Sequence, residues 1–173
     1  ERHLARMLRK APNAIMQYLL SDSVRLLVQE FAAKGIPVGE CISLDTKHIL
    51  AWVKENNPKA YVEHRFDKSK QPKGDPDCKL GCKRKHNQRT SKLEPLATPT
   101  TNPLPADTVQ VGEFYWGYGS GVVVVKVQDE GEFVLAEMTQ PFDQSDVTYF
   151  FPLMQQTERR LGFKPRFGTF DAA

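Results

Sequence analysis

The feature that most constrains the fold is a run of four β-branched residues, Val122 to Val125, in the second half of the chain. A strand that is apolar on both faces belongs in the middle of a sheet that is covered on both sides. Asp129-Glu130-Gly131 follows as a turn signal, and residues 133–138 supply a second apolar run. The sequence therefore predicts a β-hairpin whose first strand covers residues 114–127.

Helices are predicted before this hairpin. Residues 1–35 carry apolar side chains at helical spacing, and Gly35 stands where a helix would stop. Pro12 predicts one break, and the capping residues 21–23 predict a second. The N-terminal part of the chain, residues 1–36, is therefore predicted to be a separate helical region.

Two strands and a helix complete the pattern. Residues 41–45 predict a short strand, residues 147–161 predict a helix that ends at Gly162, and residues 166–170 predict a last strand. The order strand, insertion, hairpin, helix, strand favours an α/β (α+β) fold with one mixed sheet. Three of its strands are antiparallel, and the fourth is joined through a crossover helix.

A long insertion separates the first strand from the hairpin within residues 37–173. It covers residues 49–112, and its last part is rich in proline: Pro95, Pro99, Pro103 and Pro105. Such a segment should be extended. A connection this long is uncommon in a compact domain unless it has a function.

The excess of positive charge is concentrated in the middle of this insertion. Residues 65–92 contain ten Lys and Arg against three Asp, a local charge of +7, whereas residues 93–173 carry −6. Such a block is the electrostatic footprint of a protein that binds DNA or RNA, although a solvated loop has the same composition. The candidate DNA-binding residues are Lys73, Lys79, Lys83, Arg84, Lys85 and Arg89.

Composition excludes some classes of protein. No apolar run approaches the length of a membrane span, and three cysteines do not make a disulfide scaffold. A reducing, cytoplasmic location without a membrane partner is the expectation. The chain starts with Glu1 rather than Met and finishes just after a predicted strand, so we expect a piece of a larger protein.

Two aspartates stand just after apolar runs that are far apart in the sequence. Asp45 follows residues 41–44, and Asp171 follows the last predicted strand. If these strands are neighbours, the two carboxylates meet at one edge of the sheet and could hold Mg²⁺, which prefers carboxylate oxygens. Aspartates at strand ends are also common without any function.

Five segments in order resemble the catalytic domain of bacterial insertion-sequence transposases of the DDE type. They are residues 42–49 (ISLDTKHI), 75–81 (DPDCKLG), 117–119 (GYG), 138–146 (MTQPFDQSD) and 169–173 (TFDAA). The chain is similar to that family over about residues 20–173. Each segment alone is a weak signal, and their order makes the resemblance specific.

This resemblance implies a ribonuclease-H-like fold, a double-stranded DNA partner at transposon ends, and a homodimer as one form of the intact protein. It implies that Asp45 and Asp171 are the catalytic, metal-binding residues, which use Mg²⁺, or Mn²⁺ in its place, to cut and join DNA strands. Two metal ions about 3.5–4 Å apart suit this chemistry. Asp45 would bridge both ions, and Asp171 would hold one.

The chain departs from the family in three places. Ser120-Gly121 stands where a lysine is common, Cys78 replaces a small residue, and the third acid, a glutamate on a later helix, is not in the chain. We therefore expect this piece alone to be inactive in DNA cleavage. The alternatives are a non-catalytic nucleic-acid-binding module and an inactive transposon relic.

Two further constellations carry weaker signals. Cys78, Cys82 and His86, with His64 as a fourth ligand, have zinc-ligand chemistry but unusual spacing. The aromatic residues at 114–118 could stack on unpaired bases, although aromatics that enter a central strand are more often part of the core.

Overall fold

The structure is a computed structural model that describes Met7 and residues 10–83 and 113–170. Its elements, in chain order, are α1 (Asn13–Ala33), β1 (Cys41–Leu50), a 3-10 turn (Lys54–Asn56), β2 (Lys79–Lys83), β3 (Glu113–Val127), β4 (Gly131–Pro141), α2 (Val147–Leu161) and β5 (Phe167–Phe170). Within this part of the chain, no helix has the length and apolar character that crossing a membrane requires.

The five strands form one mixed sheet. The order of pairing is β2-β3-β1-β5, and β4 pairs with β3. β5 lies parallel to β1, and β2 lies antiparallel to β3. The mixed sheet, the hairpin β3–β4 and the crossover helix α2 ahead of a parallel strand are confirmed, whereas β2, which lies inside the predicted insertion, is an additional strand.

The described residues belong to two compact units. The first lies within residues 1–47, 119–140 and 144–173, and the second within residues 48–118 and 141–143. In the first unit, α1 and α2 pack with β3 and β4 around buried Val24, Val123 and Leu135. In the second unit, a smaller cluster surrounds Trp116 and the buried thiol of Cys78.

Helix α1 is continuous, so the predicted break at residues 21–23 is wrong. The hydroxyls of Ser21 and Ser23 do not cap a new helix. Each donates a 2.8 Å hydrogen bond to a carbonyl four residues earlier, that of Gln17 and that of Leu19. Serine favours the cap position but can also make this bond inside a helix, so the sequence alone could not decide between the two roles.

The end of α1 agrees with the prediction. Gly35 has a φ of +71°, the left-handed conformation that glycine adopts without steric cost. The Gly35 N–H donates to the Ala32 carbonyl, and the Ile36 N–H donates to the Phe31 carbonyl at 2.9 Å. These two bonds form a Schellman motif, which satisfies carbonyls that the helix end would leave unpaired.

The valine run lies in β3, with one face more deeply buried than the other. Val123, Val125 and Val127 are buried, whereas Val122 and Val124 are partly exposed. The strand is therefore central, as predicted, with a fully packed face and a partly covered one. Asp129, in the turn that follows, takes a positive φ of 64°.

Two glycines of β3 form a slot for Tyr149 of α2. A Cβ at Gly121 would lie 2.5 Å from Cδ1 of Tyr149, and a Cβ at Gly119 would meet the hydroxyl of the same side chain. The Tyr149 hydroxyl donates a 2.6 Å hydrogen bond to the Gly119 carbonyl. The missing side chains thus let helix α2 approach the sheet, and burial raises the pKa of Tyr149.

Candidate functional site

The candidate catalytic edge is formed by β1 and β5. In their parallel register Cys41 faces Phe167, and Leu44 faces Phe170. Asp45 comes directly after Leu44, and Asp171 comes directly after Phe170. The strands predicted to carry the two aspartates are therefore neighbours in one sheet. Asp171 itself lies outside the described residues.

Asp45 is exposed and lies inside β1, because the strand continues to Leu50. The predicted strand over residues 41–45 is therefore too short. Thr46, Lys47 and His48 read as a polar boundary, yet a strand paired with β3 accepts such residues wherever their side chains face solvent. The Oδ1 atom of Asp45 accepts a 2.8 Å hydrogen bond from the Thr46 N–H.

A contact between two hydroxyls fastens β1 to β5 just before the aspartates. The Oγ of Ser43 lies 2.6 Å from the Oγ1 of Thr169. At the other end of the pair, the N–H groups of Arg166 and Phe167 both donate to the Glu40 carbonyl, at 2.9 and 3.0 Å. The register of the four paired residues is thus fixed by contacts at both ends.

The donor chemistry at this edge suits Mg²⁺. An exposed carboxylate is the ligand that Mg²⁺ takes from a protein when its other ligands are waters and substrate phosphates. The described residues contain no group of three His, Cys, Asp or Glu side chains placed to hold a metal ion. Within the described chain, Asp45 is therefore not part of a set of three candidate metal ligands.

The six candidate DNA-binding residues are only partly within the described structure. Lys73 is exposed, and the Lys79 ammonium donates a 3.1 Å hydrogen bond to the Gln71 side chain. The backbone of Lys83 belongs to β2. Arg84, Lys85 and Arg89 lie outside the described residues. The basic block thus includes β2, a strand of the sheet. This strand was not predicted, because lysine is uncommon in strands.

The segment that begins at Asp75 has a structural role. The Oδ1 atom of Asp75 accepts hydrogen bonds from the N–H groups of Asp77 and Cys78, both at 3.2 Å. The same atom accepts a hydrogen bond from the Tyr118 hydroxyl at 2.6 Å. Two of the segments that resemble the transposase family, residues 75–81 and 117–119, are therefore in contact.

Cys78 is buried and engaged in hydrogen bonds. Its Sγ donates to the Asp75 carbonyl at 3.2 Å, and burial raises the pKa of its thiol to about 11. A metal-binding cysteine must be a thiolate, and this environment favours the neutral thiol. The zinc hypothesis also requires His86, which lies outside the described residues. The zinc site therefore stays a prediction, and the contacts of Cys78 do not favour it.

The aromatic residues at 114–118 belong mainly to the core. Trp116 is buried, and its Nε1–H donates a 2.7 Å hydrogen bond to the Arg65 carbonyl. Tyr115 is buried too, and its ring stacks against Phe142 with a centroid distance of 4.7 Å. Its hydroxyl has no hydrogen-bond partner within the described residues. Of the selected aromatics, Phe114 is exposed. Trp52 and Tyr61, which we did not select from the sequence, are exposed to a much larger fraction.

The first unit also holds a groove that the sequence did not reveal. Its volume is about 800 Å³, and it is lined by residues of α1, β4 and α2, which include Glu137 and Arg160. The Arg160 guanidinium donates to the Ser21 hydroxyl, to the Leu135 carbonyl and to the Gln17 side chain. Arg160 therefore links α2 to α1 and β4, the elements that form the walls of the groove.

Comparison with known proteins finds no relative: no family model, no curated protein and no solved structure matches this chain. Function must therefore be inferred from the residues and contacts described above. Among these, the pairing of β1 with β5 and the charge of the insertion are the two features with a chemical consequence.

Proposed function

We propose that this chain is part of the catalytic domain of a DDE-type transposase, which cuts and joins DNA strands at transposon ends with the help of Mg²⁺. The observation that carries the proposal is the parallel register in which Leu44 faces Phe170. The residues that follow in the sequence are Asp45 and Asp171, the two candidate catalytic acids. The mixed sheet and the crossover helix support the ribonuclease-H-like architecture that goes with this function.

The register supports a shared metal site on simple geometric grounds. Neighbouring strands lie about 4.8 Å apart, so in-register residues of a parallel pair are close to each other. Two carboxylates at that separation suit a pair of metal ions about 3.5–4 Å apart. The proposal requires that Asp171 continue the register of β5 by one residue.

In this mechanism the residues of the chain bind and orient the DNA backbone and hold the metal. Asp45 and Asp171 would hold the metal. Bound Mg²⁺ supplies activation of the attacking water and relief of charge on the leaving oxygen. The exposure of Asp45 leaves room for a phosphodiester to approach its carboxylate.

The basic block supplies affinity for the DNA backbone. Lys73 and Lys79 lie in the described part of it, together with the backbone of Lys83. Contacts from lysine and arginine to phosphates position a protein on a duplex but carry little sequence information. This block would therefore hold the DNA, and any choice of transposon end must come from other contacts.

We further propose that the 173-residue chain binds DNA without cutting it. Asp45 and Asp171 are two of the three acids that the resemblance calls for. With one carboxylate fewer, the ions are held less firmly and the attacking water is positioned less well.

A second candidate is a non-catalytic nucleic-acid-binding module, which includes the case of an inactive transposon relic. The observation in its favour is that the described residues contain no group of three candidate metal ligands, whereas the excess positive charge of residues 65–92 is independent of any aspartate. In that case the basic block functions and the aspartates do not.

Metal binding distinguishes the two candidates without requiring cleavage. Mn²⁺ titrations followed by electron paramagnetic resonance should show Mn²⁺ binding that Asp45→Asn weakens by about tenfold or more, since even the loss of a group that orients a ligand costs 10–100-fold. Asp171→Asn should have the same effect. Asp77→Asn, at another exposed aspartate, is the matched control and should change nothing.

The amide of Asp45→Asn can still accept the hydrogen bond from the Thr46 N–H, so the fold and the DNA affinity should persist. Mn²⁺ affinity that is equal in the parent chain and in both variants would refute the catalytic proposal and leave the binding module.

A further inference from the structure

Trp52 is completely exposed, although it lies between two buried residues. Its side chain is 100% exposed, whereas Ala51 and Val53 are each 6% exposed. Side chains alternate in extended chain, so burial of both neighbours directs the indole outward. A tryptophan carries a large apolar surface, so a completely exposed indole can bury a large area against a partner.

The backbone that carries Trp52 is held firmly. The Ala51 N–H donates a 2.9 Å hydrogen bond to the Trp116 carbonyl. The Asn56 side chain donates to the carbonyls of Ala51 and Trp116, at 2.8 and 2.7 Å, and accepts from the Trp116 N–H at 2.8 Å. An aromatic ring on a fixed backbone loses little conformational entropy when it binds a partner.

Trp52 borders a cleft of about 340 Å³ within the second unit. Lys54, Lys70 and Lys73 line the same cleft, together with Glu55 and Glu63. Within the described chain, the ammonium groups of Lys54 and Lys73 take part in no hydrogen bond or ion pair. Two cations are therefore available beside the indole for an anionic partner.

Two other charged groups around the cleft, Arg65 and His64, are already engaged. The Arg65 guanidinium donates to the carbonyls of Asn57 and Ala60 and so holds one wall of the cleft. The His64 Nε2 lies 3.5 Å from the Glu63 carboxylate. The combination offered to a partner is thus a flat aromatic face in a cleft whose ammonium groups outnumber its one unengaged carboxylate among the described residues, that of Glu55.

We propose that Trp52 is a stacking platform for an unpaired base, with Lys54 and Lys73 placed for the phosphates on either side of that base. Aromatic faces together with positive charge are what single-stranded nucleic acid binds, because every base has a π-face that can stack. A duplex keeps its bases stacked on each other and offers none of these faces at its side. The inference refines the proposed function, since it takes DNA as the partner and adds an unpaired segment to it.

Fluorescence titration tests this proposal directly. The chain has two tryptophans, and Trp116 is buried. Addition of a 20-nucleotide oligo(dT) should quench the emission of Trp52, and this quenching should be absent in Trp52→Phe and Trp52→Ala. Fluorescence anisotropy of labelled DNA then measures affinity. We expect Trp52→Ala to bind oligo(dT) about tenfold more weakly, with Trp52→Phe in between.

A duplex of the same length and Tyr18→Ala are the controls. Tyr18 is a 68% exposed aromatic residue of the first unit, so its loss should leave both affinities unchanged. Duplex affinity should also be unchanged in Trp52→Ala. Because Trp52 is fully exposed, its variants should fold, and their thermal unfolding midpoints verify this.

Two outcomes would overturn the proposal. Oligo(dT) affinity that is unaffected by Trp52→Ala would assign this surface to another kind of partner, such as a protein. If Trp52→Ala lowered duplex affinity and oligo(dT) affinity equally, Trp52 would not bind an unpaired base specifically. The Mn²⁺ titration is independent of both, so the catalytic proposal can fail while the stacking platform stands, and the reverse also holds.

Discussion

The Ser43 hydroxyl lies 2.6 Å from the Thr169 hydroxyl, one pair of residues before Leu44 faces Phe170 across the parallel strands β1 and β5. This contact fixes the alignment of the two strands at the point where each is about to reach an aspartate. The catalytic proposal depends on that alignment, and it can be tested chemically without any substrate.

We expect Asp45→Cys and Asp171→Cys to form a disulfide under mild oxidation, in a chain that also carries Cys41→Ser to remove an exposed thiol. The register brings in-register residues within disulfide range, which extends to a Cα separation of about 6.8 Å. Mass spectrometry of a non-reduced digest identifies the bridge. Lys47→Cys with Asp171→Cys is the control and should cross-link poorly, because it is offset by two residues. Equal yields from both pairs would contradict the register.

Replacing Lys83, Arg84 and Lys85 together by glutamine should weaken DNA binding to all sequences alike. Each phosphate contact that is lost reduces the slope of log affinity against log salt by about 0.9. The triple variant should therefore flatten the slope by up to about 2.7. Anisotropy titrations between 50 and 200 mM salt, about the range over which such contacts act, measure it.

The matched control replaces the same number of positive charges outside the basic block: Lys10, Lys126 and Lys164. All three are exposed, so the fold should persist. If both triple variants lower the slope equally, net charge rather than the basic block accounts for the binding.

Tyr149→Phe should lower the free energy of unfolding by about 1–3 kcal/mol, the usual cost of leaving a buried acceptor unsatisfied. The acceptor is the Gly119 carbonyl, 2.6 Å from the lost hydroxyl. Urea denaturation measures the change. Tyr18→Phe removes the same atom from a tyrosine that is 68% exposed, and it should stay within about 0.5 kcal/mol of the parent. A similar loss in the two variants would mean that the Tyr149–Gly119 bond is not responsible.

The Cys78 thiol should make stability depend on pH above neutrality. Burial, with the charges of Asp75 and Glu55, raises the pKa of this thiol from 9.0 to about 11. Between these values the unfolded chain loses a proton that the folded chain keeps. The contribution to stability is therefore complete below pH 9.0 and is lost as the pH rises through about 11.

Denaturation of the parent chain and of Cys78→Ala, at several pH values across that window, isolates this contribution from other titrating groups. The difference between the two proteins should shrink as the pH rises. Cys41→Ala, at an exposed cysteine, should follow the parent at every pH. A constant difference for Cys78→Ala would show that its thiol does not titrate in this way.

Local signals predicted the hairpin and the ends of the helices. The valine run and the turn at residues 129–131 predict a hairpin whatever the rest of the chain does. Gly35 and Gly162 likewise predict helix ends from local sequence alone, and both adopt positive φ where the helices stop. The parallel orientation of β5 also followed, because a crossover helix leads naturally to a parallel strand. Its place beside β1 is seen in the pairing of the two strands.

Features that depend on distant partners were not predictable. β2 is five residues long, and its alignment with β3 places Gly81 opposite Tyr115, which no local pattern encodes. The exposure of Trp52 depends on how its neighbours Ala51 and Val53 pack. From the sequence alone, Trp52 could equally have been predicted to lie in the core. In the candidate site, Asp45 was found through the residues around it, but the length of its strand was set by pairing with β3.

The slot formed by Gly119 and Gly121 affects how this sequence can change over time. Glycine is the smallest residue, so every amino-acid replacement of it introduces a larger side chain. At these two positions, any such side chain meets Tyr149, whose hydroxyl lies where a Cβ at position 119 would be and whose ring lies where a Cβ at position 121 would be. Changes there become acceptable only after residue 149 has become smaller. The three positions should therefore drift together or not at all, and a library that varies them jointly should recover folded chains that single-site libraries miss.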